Sequence, residues 1–166
     1  MQLEKGSKTP LKASKPEAKL PEVDEGSFYS LASGFLEATK VLENTPPVRL
    51  GYQSVIYYLL GHGAELYLKS YLCAHGLGVQ ELKSIGHDLK RLISESEYRG
   101  LSGIGNFQAL KNISTQYHRK TLEYRELKSK TYPDIRQLMA EVEVLNAKTF
   151  PNLRWKEDQT NGYPKT

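Results

Sequence analysis

Apolar side chains recur at three- and four-residue spacing through most of the chain between residues 27 and 148. No stretch of four or more residues alternates convincingly, so the pattern predicts helices and no sheet. Phe28, Leu31, Phe35, Ala38 and Leu42 make the apolar stripe of a first helix from about Ser27 to Glu43, which Asn44-Thr-Pro-Pro47 stops. A second helix, from about Arg49 to Ala74, is apolar on several faces (Tyr52, Val55, Ile56, Leu59, Leu60, Leu66, Leu68, Leu72), the mark of a central helix. His75-Gly-Leu-Gly78 ends it and offers glycine for a left-handed cap. A third helix starts near His87-Asp88 and runs to about Glu97. A fourth, with Asn106 as its cap, runs to about Lys128 and turns Phe107, Leu110, Ile113, Tyr117, Tyr124 and Leu127 to the core. Tyr132-Pro133 breaks the chain before a fifth helix from Asp134, with Ile135, Leu138, Met139, Val142 and Leu145 on one side. The expected fold is all-α, an up-and-down bundle of four to five helices with mostly short connections, over residues 26–149. Residues 1–25, rich in Lys, Glu, Pro and Ser, read as a disordered tail, and residues 150–166 as a second, loose one.

Composition narrows the class. The 166 residues are 39% hydrophobic and 25% charged, as expected of one soluble globular domain with tails. No run reaches the roughly 18 apolar residues that a membrane helix needs, and the N-terminus lacks the apolar core of a signal peptide. The lone Cys73 excludes an internal disulfide and suits a reducing compartment, so the chain reads as cytoplasmic, without membrane association. The net charge of +4 arises in one place. Residues 106–136 carry seven basic side chains (Lys111, Arg119, Lys120, Arg125, Lys128, Lys130, Arg136) against three acidic ones, while the rest of the chain balances. Such a local excess is the footprint of a polyanion site or, equally, of a solvated helix face.

Polar residues stand out on the central helix. Glu65 and Lys69 are four apart in the favourable order, and His62 lies one turn before Glu65 on the same face. A polar face on so apolar a helix needs a partner, and His87-Asp88 at the next helix start is the nearest candidate. The five residues form either a ligand pocket or, the preferred reading, a buried clasp that fixes helix register. Gly61-His-Gly-Ala-Glu-Leu-Tyr-Leu-Lys69 together with Ile85-Gly-His-Asp-Leu-Lys-Arg-Leu-Ile93 resembles the HEPN-like helical domains, which often carry Glu-x-x-x-Lys on a core helix and Gly-His-Asp-Leu at the start of the next. The resemblance implies a helical bundle. It also implies a function drawn from ribonuclease toxins, RNA-processing factors or catalytically inert partner modules.

HEPN ribonucleases carry an Arg-x(4–6)-His motif, in which a fixed cation holds the scissile phosphate and an imidazole moves the proton. No Arg of this chain has a His at that spacing. Lys111 and His118 come nearest, with Asn112 after the Lys and two helical turns between the pair. Lys keeps the charge but loses the bidentate fork. The resemblance therefore implies a self-associating homodimer that binds RNA, a nucleotide or a protein partner, with Asn112, Arg119, Lys120 and Arg125 beside the Lys111–His118 pair and without efficient catalysis. The alternative is a degenerate metal-independent endoribonuclease of a toxin–antitoxin or phage-defence system, paired with a nucleotidyltransferase-like protein. His62, His75, His87 and His118 show no metal-ligand spacing, and no Gly-rich phosphate loop is present, so neither metal nor cofactor is expected.

Overall fold

A computed structural model of the chain describes residues 23–46, 52–122 and 131–154. Among them there is no strand. Six α-helices form a bundle: α1 Glu25–Glu43, α2 Tyr52–Ala74, α3 Val79–Ile85, α4 Leu89–Tyr98, α5 Gln108–His118 and α6 Ile135–Thr149. The all-helical class is thus as the apolar spacing predicts. α2 is its axis. It packs most closely with α1 and also meets α6, α4, α5 and α3. From Leu60 to Leu72 only His62 and Lys69 escape full burial. No helix among the described residues is long and apolar enough to cross a membrane.

α1 starts where Asp24 accepts a hydrogen bond from the Ser27 amide at 2.8 Å, the usual job of a capping carboxylate. Its buried face is Ala32, Leu36 and Thr39. The stripe expected from spacing is therefore rotated. Phe28, Phe35 and Leu42 are partly buried, but Leu31 and Ala38 face solvent. The cause is the small pair Ala32 and Gly63, which lets the two backbones approach and turns Ala32 inward.

α3 is a helix that apolar periodicity did not reveal, because its seven residues carry only two buried positions, Leu82 and Ile85. Its first turn is closed by Glu81, whose carboxylate accepts from the Gly78 amide at 2.7 Å. After Gly86 at φ 69°, Asp88 caps α4 by accepting from the Arg91 amide at 3.1 Å.

The predicted fourth helix is shortened at both ends. Asn106 does not cap it. Gly105, Asn106 and Phe107 all take positive φ, and the helix proper starts at Gln108. Burial of Phe107, which is wholly inaccessible, offsets that strain. With no side-chain cap of its own, α5 borrows one from α6. Glu141, nearly inaccessible, accepts from the amides of Ala109 and Leu110 at 2.9 Å each. Burial pushes the Glu141 carboxyl upward, against the lowering effect of those two donors.

At its C-terminus α5 stops at His118 rather than continuing to Lys128. Lys120 turns to φ 56°, its amide bonds Tyr117 O, and the Thr121 amide reaches Gln116 O. This is the six-to-one and five-to-two pattern of a Schellman cap. α2 and α4 end the same way, with Gly76 and Gly100 at the left-handed position. Only α5 places a lysine there.

The packed chain continues beyond α6. Leu153 is buried and Arg154 Nη2 donates to Ala74 O at 3.1 Å. The remainder of the two expected tails, and Arg125, lie outside the described residues.

Glu141→Ala should leave two amides at the start of α5 without acceptors and lower stability by roughly 1–3 kcal/mol. Chemical denaturation measures the loss, and an unchanged midpoint would show that water caps α5 equally well.

Candidate functional site: a buried carboxylate beneath two histidines

Glu65 lies in the middle of the most buried stretch of α2, with 2% of its side chain accessible. It is fully engaged. Lys69 Nζ donates to Oε1 at 2.6 Å, one turn along the same helix. His87 Nδ1 sits 3.1 Å from Oε1 and 2.9 Å from Oε2. The Tyr117 hydroxyl donates to Oε2 at 2.5 Å. His62 Nδ1 lies 2.8 Å from the Tyr117 oxygen and 3.9 Å from Oε2. Four of the five residues that the sequence grouped, His62, Glu65, Lys69 and His87, therefore meet in one network. The fifth, Asp88, does not join it. It caps α4 and faces Ser114, whose hydroxyl is 3.5 Å from Oδ1.

Tyr117 was expected only as a core residue. It proves central because its ring lies flat on α2 at Gly61, where an added Cβ would come within 2.8 Å of the ring. The signal was available in principle. A buried carboxylate has about four lone-pair sites, more than one Lys and one His fill.

The order of donors fixes the protons. Burial raises the pKa of Glu65, but the hydrogen bonds from Lys69, Tyr117 and His87, with the Lys69 charge, outweigh it and hold the carboxyl below its ordinary value. The ionised carboxylate only accepts, so the Tyr117 proton points to Glu65. The Tyr117 oxygen must then accept from His62 Nδ1–H, and His87 likewise donates from Nδ1. Nε2 is left as the acceptor nitrogen of both imidazoles. Burial lowers the pKa of His62, against the opposing pull of Glu65, so this ring is neutral at neutral pH.

Both rings open onto one hollow of about 70 Å³, completed by Tyr58, Tyr117 and Lys120. A more open cleft of about 230 Å³ is lined by Asp88, Lys90, Ser114, Thr115, His118 and Arg119. The two adjoin, since His87 and Lys120 line one while their sequence neighbours Asp88 and Arg119 line the other. A larger cavity of about 510 Å³ is bordered by Leu42, Ile56, Tyr57, Tyr132 and Ile135. Tyr57 Oη is committed there to Pro133 O and Asp134 to the α6 amides, while Gln53 and the oppositely charged Glu43 and Arg136 also border the cavity.

Lys111 and His118 share α5 but no cavity. Lys111 Nζ is held by Glu97 Oε1 at 3.0 Å, because α4 packs alongside, whereas His118 is exposed in the open cleft. Asn112 accepts from Gln108 Nε2 at 2.7 Å and lines neither space. Arg119 and Lys120 are exposed and, with Lys90, take part in no ion pair among the described residues. Lys90, which the sequence left unremarked, joins them because α4 and α5 pack side by side. Among the described residues no three His, Cys, Asp or Glu side chains stand together as a metal site. Comparison with protein families, with curated proteins and with solved structures finds no match to this chain.

Glu65→Ala should cost roughly 1–3 kcal/mol through the donors it orphans. Glu65→Leu combined with Lys69→Met should cost less than the two single changes added together, as a double-mutant cycle by urea unfolding will read.

Acid should weaken the fold in two stages. His62 resists protonation when folded, so its contribution holds above about pH 6.5 and is lost as pH falls below that. Glu65, also lowered, adds a second loss below about pH 4.5. Melting curves from pH 8 to about 2 test this, and His62→Gln should flatten the upper stage alone. Lys120→Gly should raise stability by about 1 kcal/mol by relieving the left-handed lysine.

Proposed function

We propose that this chain is a HEPN-like helical module that binds RNA or a nucleotide at the end of the bundle where α4 meets α5, and that it acts as a self-associating binding protein rather than an efficient enzyme. The observation that carries the reading is the open cleft of Lys90, His118 and Arg119. Lys90 from α4 and Arg119 at the end of α5 outweigh the one carboxylate of the cleft, Asp88, and are not consumed by ion pairs among the described residues. Phosphate oxygens are the ordinary partners of such a surface. Lys111, by contrast, is neutralised by Glu97 and adds little.

A second reading, metal-independent ribonuclease in a toxin–antitoxin or phage-defence setting, draws support from a different place than the Lys111–His118 spacing. His87, braced through Nδ1 on the buried carboxylate, and His62, braced on the Tyr117 hydroxyl that itself bonds that carboxylate, have the form of an acid–base pair.

Fluorescence anisotropy with labelled single-stranded RNA tests the first reading. Affinity should fall with salt at a log–log slope of about −2 for three phosphate contacts. Lys90→Glu and Arg119→Glu should each weaken it severalfold, while Lys111→Ala should leave it nearly unchanged. Binding that ignores reversal at Lys90 and Arg119 rejects the site. Cleavage of the RNA that is lost in His87→Gln would favour the second reading.

A further inference from the structure

The small hollow beside the cleft has a chemistry of its own. Its wall carries two imidazole rings, the Lys120 ammonium and the Tyr58 ring, which stacks parallel to His62 with centroids 6.0 Å apart. Its floor is Tyr117, whose proton is already given to Glu65. That carboxylate lies beneath the floor with 2% of its side chain accessible, and Lys69 offsets its charge. What faces the hollow is therefore one cation and two imidazoles held from behind through Nδ1, His87 by Glu65 and His62 by the Tyr117 oxygen.

Size and position select among anions. The hollow is far smaller than the neighbouring cleft and has room for a few waters or one tetrahedral group, not for a strand passing through. It adjoins the cleft where Lys90 and Arg119 would hold the next phosphates. The backbone adds an independent sign. α2 and α4 close with glycine at the left-handed position, whereas α5 closes with Lys120 at φ 56°, at the mouth of the hollow. A lysine in that conformation is strained, and strain of this kind gathers at ligand sites.

We infer that the His62–His87–Lys120 hollow is a receptor for a terminal phosphate monoester, the phosphorylated end of an RNA strand or the phosphate of a free nucleotide. The inference rests on the proposed phosphate-binding function and deepens it. A monoester carries about −1.5 to −2 charge at neutral pH. Its charged oxygens can therefore take the Lys120 ammonium while a retained P–OH donates to an acceptor Nε2, where an internal diester offers a single charge and no proton.

The test compares single-stranded RNA octamers bearing a 5′-phosphate, a 3′-phosphate or hydroxyls at both ends, by anisotropy at one salt concentration. One phosphorylated end should bind about tenfold more tightly than the hydroxyl-ended strand, as expected for an added charged hydrogen bond. In Lys120→Gly and His87→Gln that ratio should fall to about one. Since Lys120→Gly is expected to gain stability, loss of the preference there cannot be put down to unfolding.

AMP and adenosine serve as competitors. Displacement by AMP but not adenosine identifies the free nucleotide as a sufficient ligand. Failure of AMP to compete, with the end preference intact, identifies the RNA end. Equal affinity for phosphorylated and hydroxyl-ended strands, with binding still dependent on Lys90 and Arg119, overturns the inference and leaves the proposed function standing. No binding of any RNA or of AMP overturns both.

Discussion

A carboxylate sealed inside an apolar helix admits few solutions. Glu65 cannot reach water, so the fold must bring donors to it, and each donor arrives on a different piece of chain. Lys69 comes from the same helix, His87 from the link between α3 and α4, and Tyr117 from α5. Satisfying one side chain thereby sets the position of two pieces of chain, the α3–α4 link and α5, against α2. The apolar core around it would tolerate small slips between helices. The network does not, because a shift of one turn would take the Tyr117 hydroxyl and His87 away from Glu65 and leave the buried carboxylate with Lys69 alone.

The same constraint explains what the sequence made legible. His62, Glu65, Lys69 and His87 were visible as a group because polar residues on an otherwise apolar helix are conspicuous, and the helix starting at His87-Asp88 offered the nearest complement. Tyr117 was hidden by its own amphipathic character, since it fits an apolar stripe as well as it fits a hydrogen-bond network. Glu141 was hidden for another reason. It caps a helix from a distance of 31 residues in the chain, and capping patterns in sequence are local. α3 is too short for periodicity to show. The end of α5 was overrun because a lysine stands where a Schellman cap usually announces itself with glycine.

Charge was legible in amount and not in placement. The basic excess of residues 106–136 is real, yet Lys111 is spent on Glu97, and Arg119 and Lys120, although adjacent, open onto different cavities. Lys90 enters from α4, outside the stretch that composition singled out. A count along the chain cannot distinguish a cation facing a carboxylate from one facing solvent, and here that distinction decides which spacing matters. The Lys111–His118 pair comes nearest to a motif in sequence, whereas the imidazoles that actually meet in one network, His87 on Glu65 and His62 on the Tyr117 hydroxyl, have no such spacing at all.

The loan of Glu141 to α5 also has a bearing on the order in which the molecule is made. During synthesis α5 leaves the ribosome well before α6, and until residue 141 emerges its first amides have no side-chain acceptor. α5 carries Tyr117, His118 and, just past its end, Lys120. The nascent chain can thus assemble the α1–α2 pair and seat the α3–α4 link early, while the wall of both cavities waits on a helix near the C-terminus. A ribosome-bound intermediate of this protein would pair α1 with α2 before either cavity had its α5 wall.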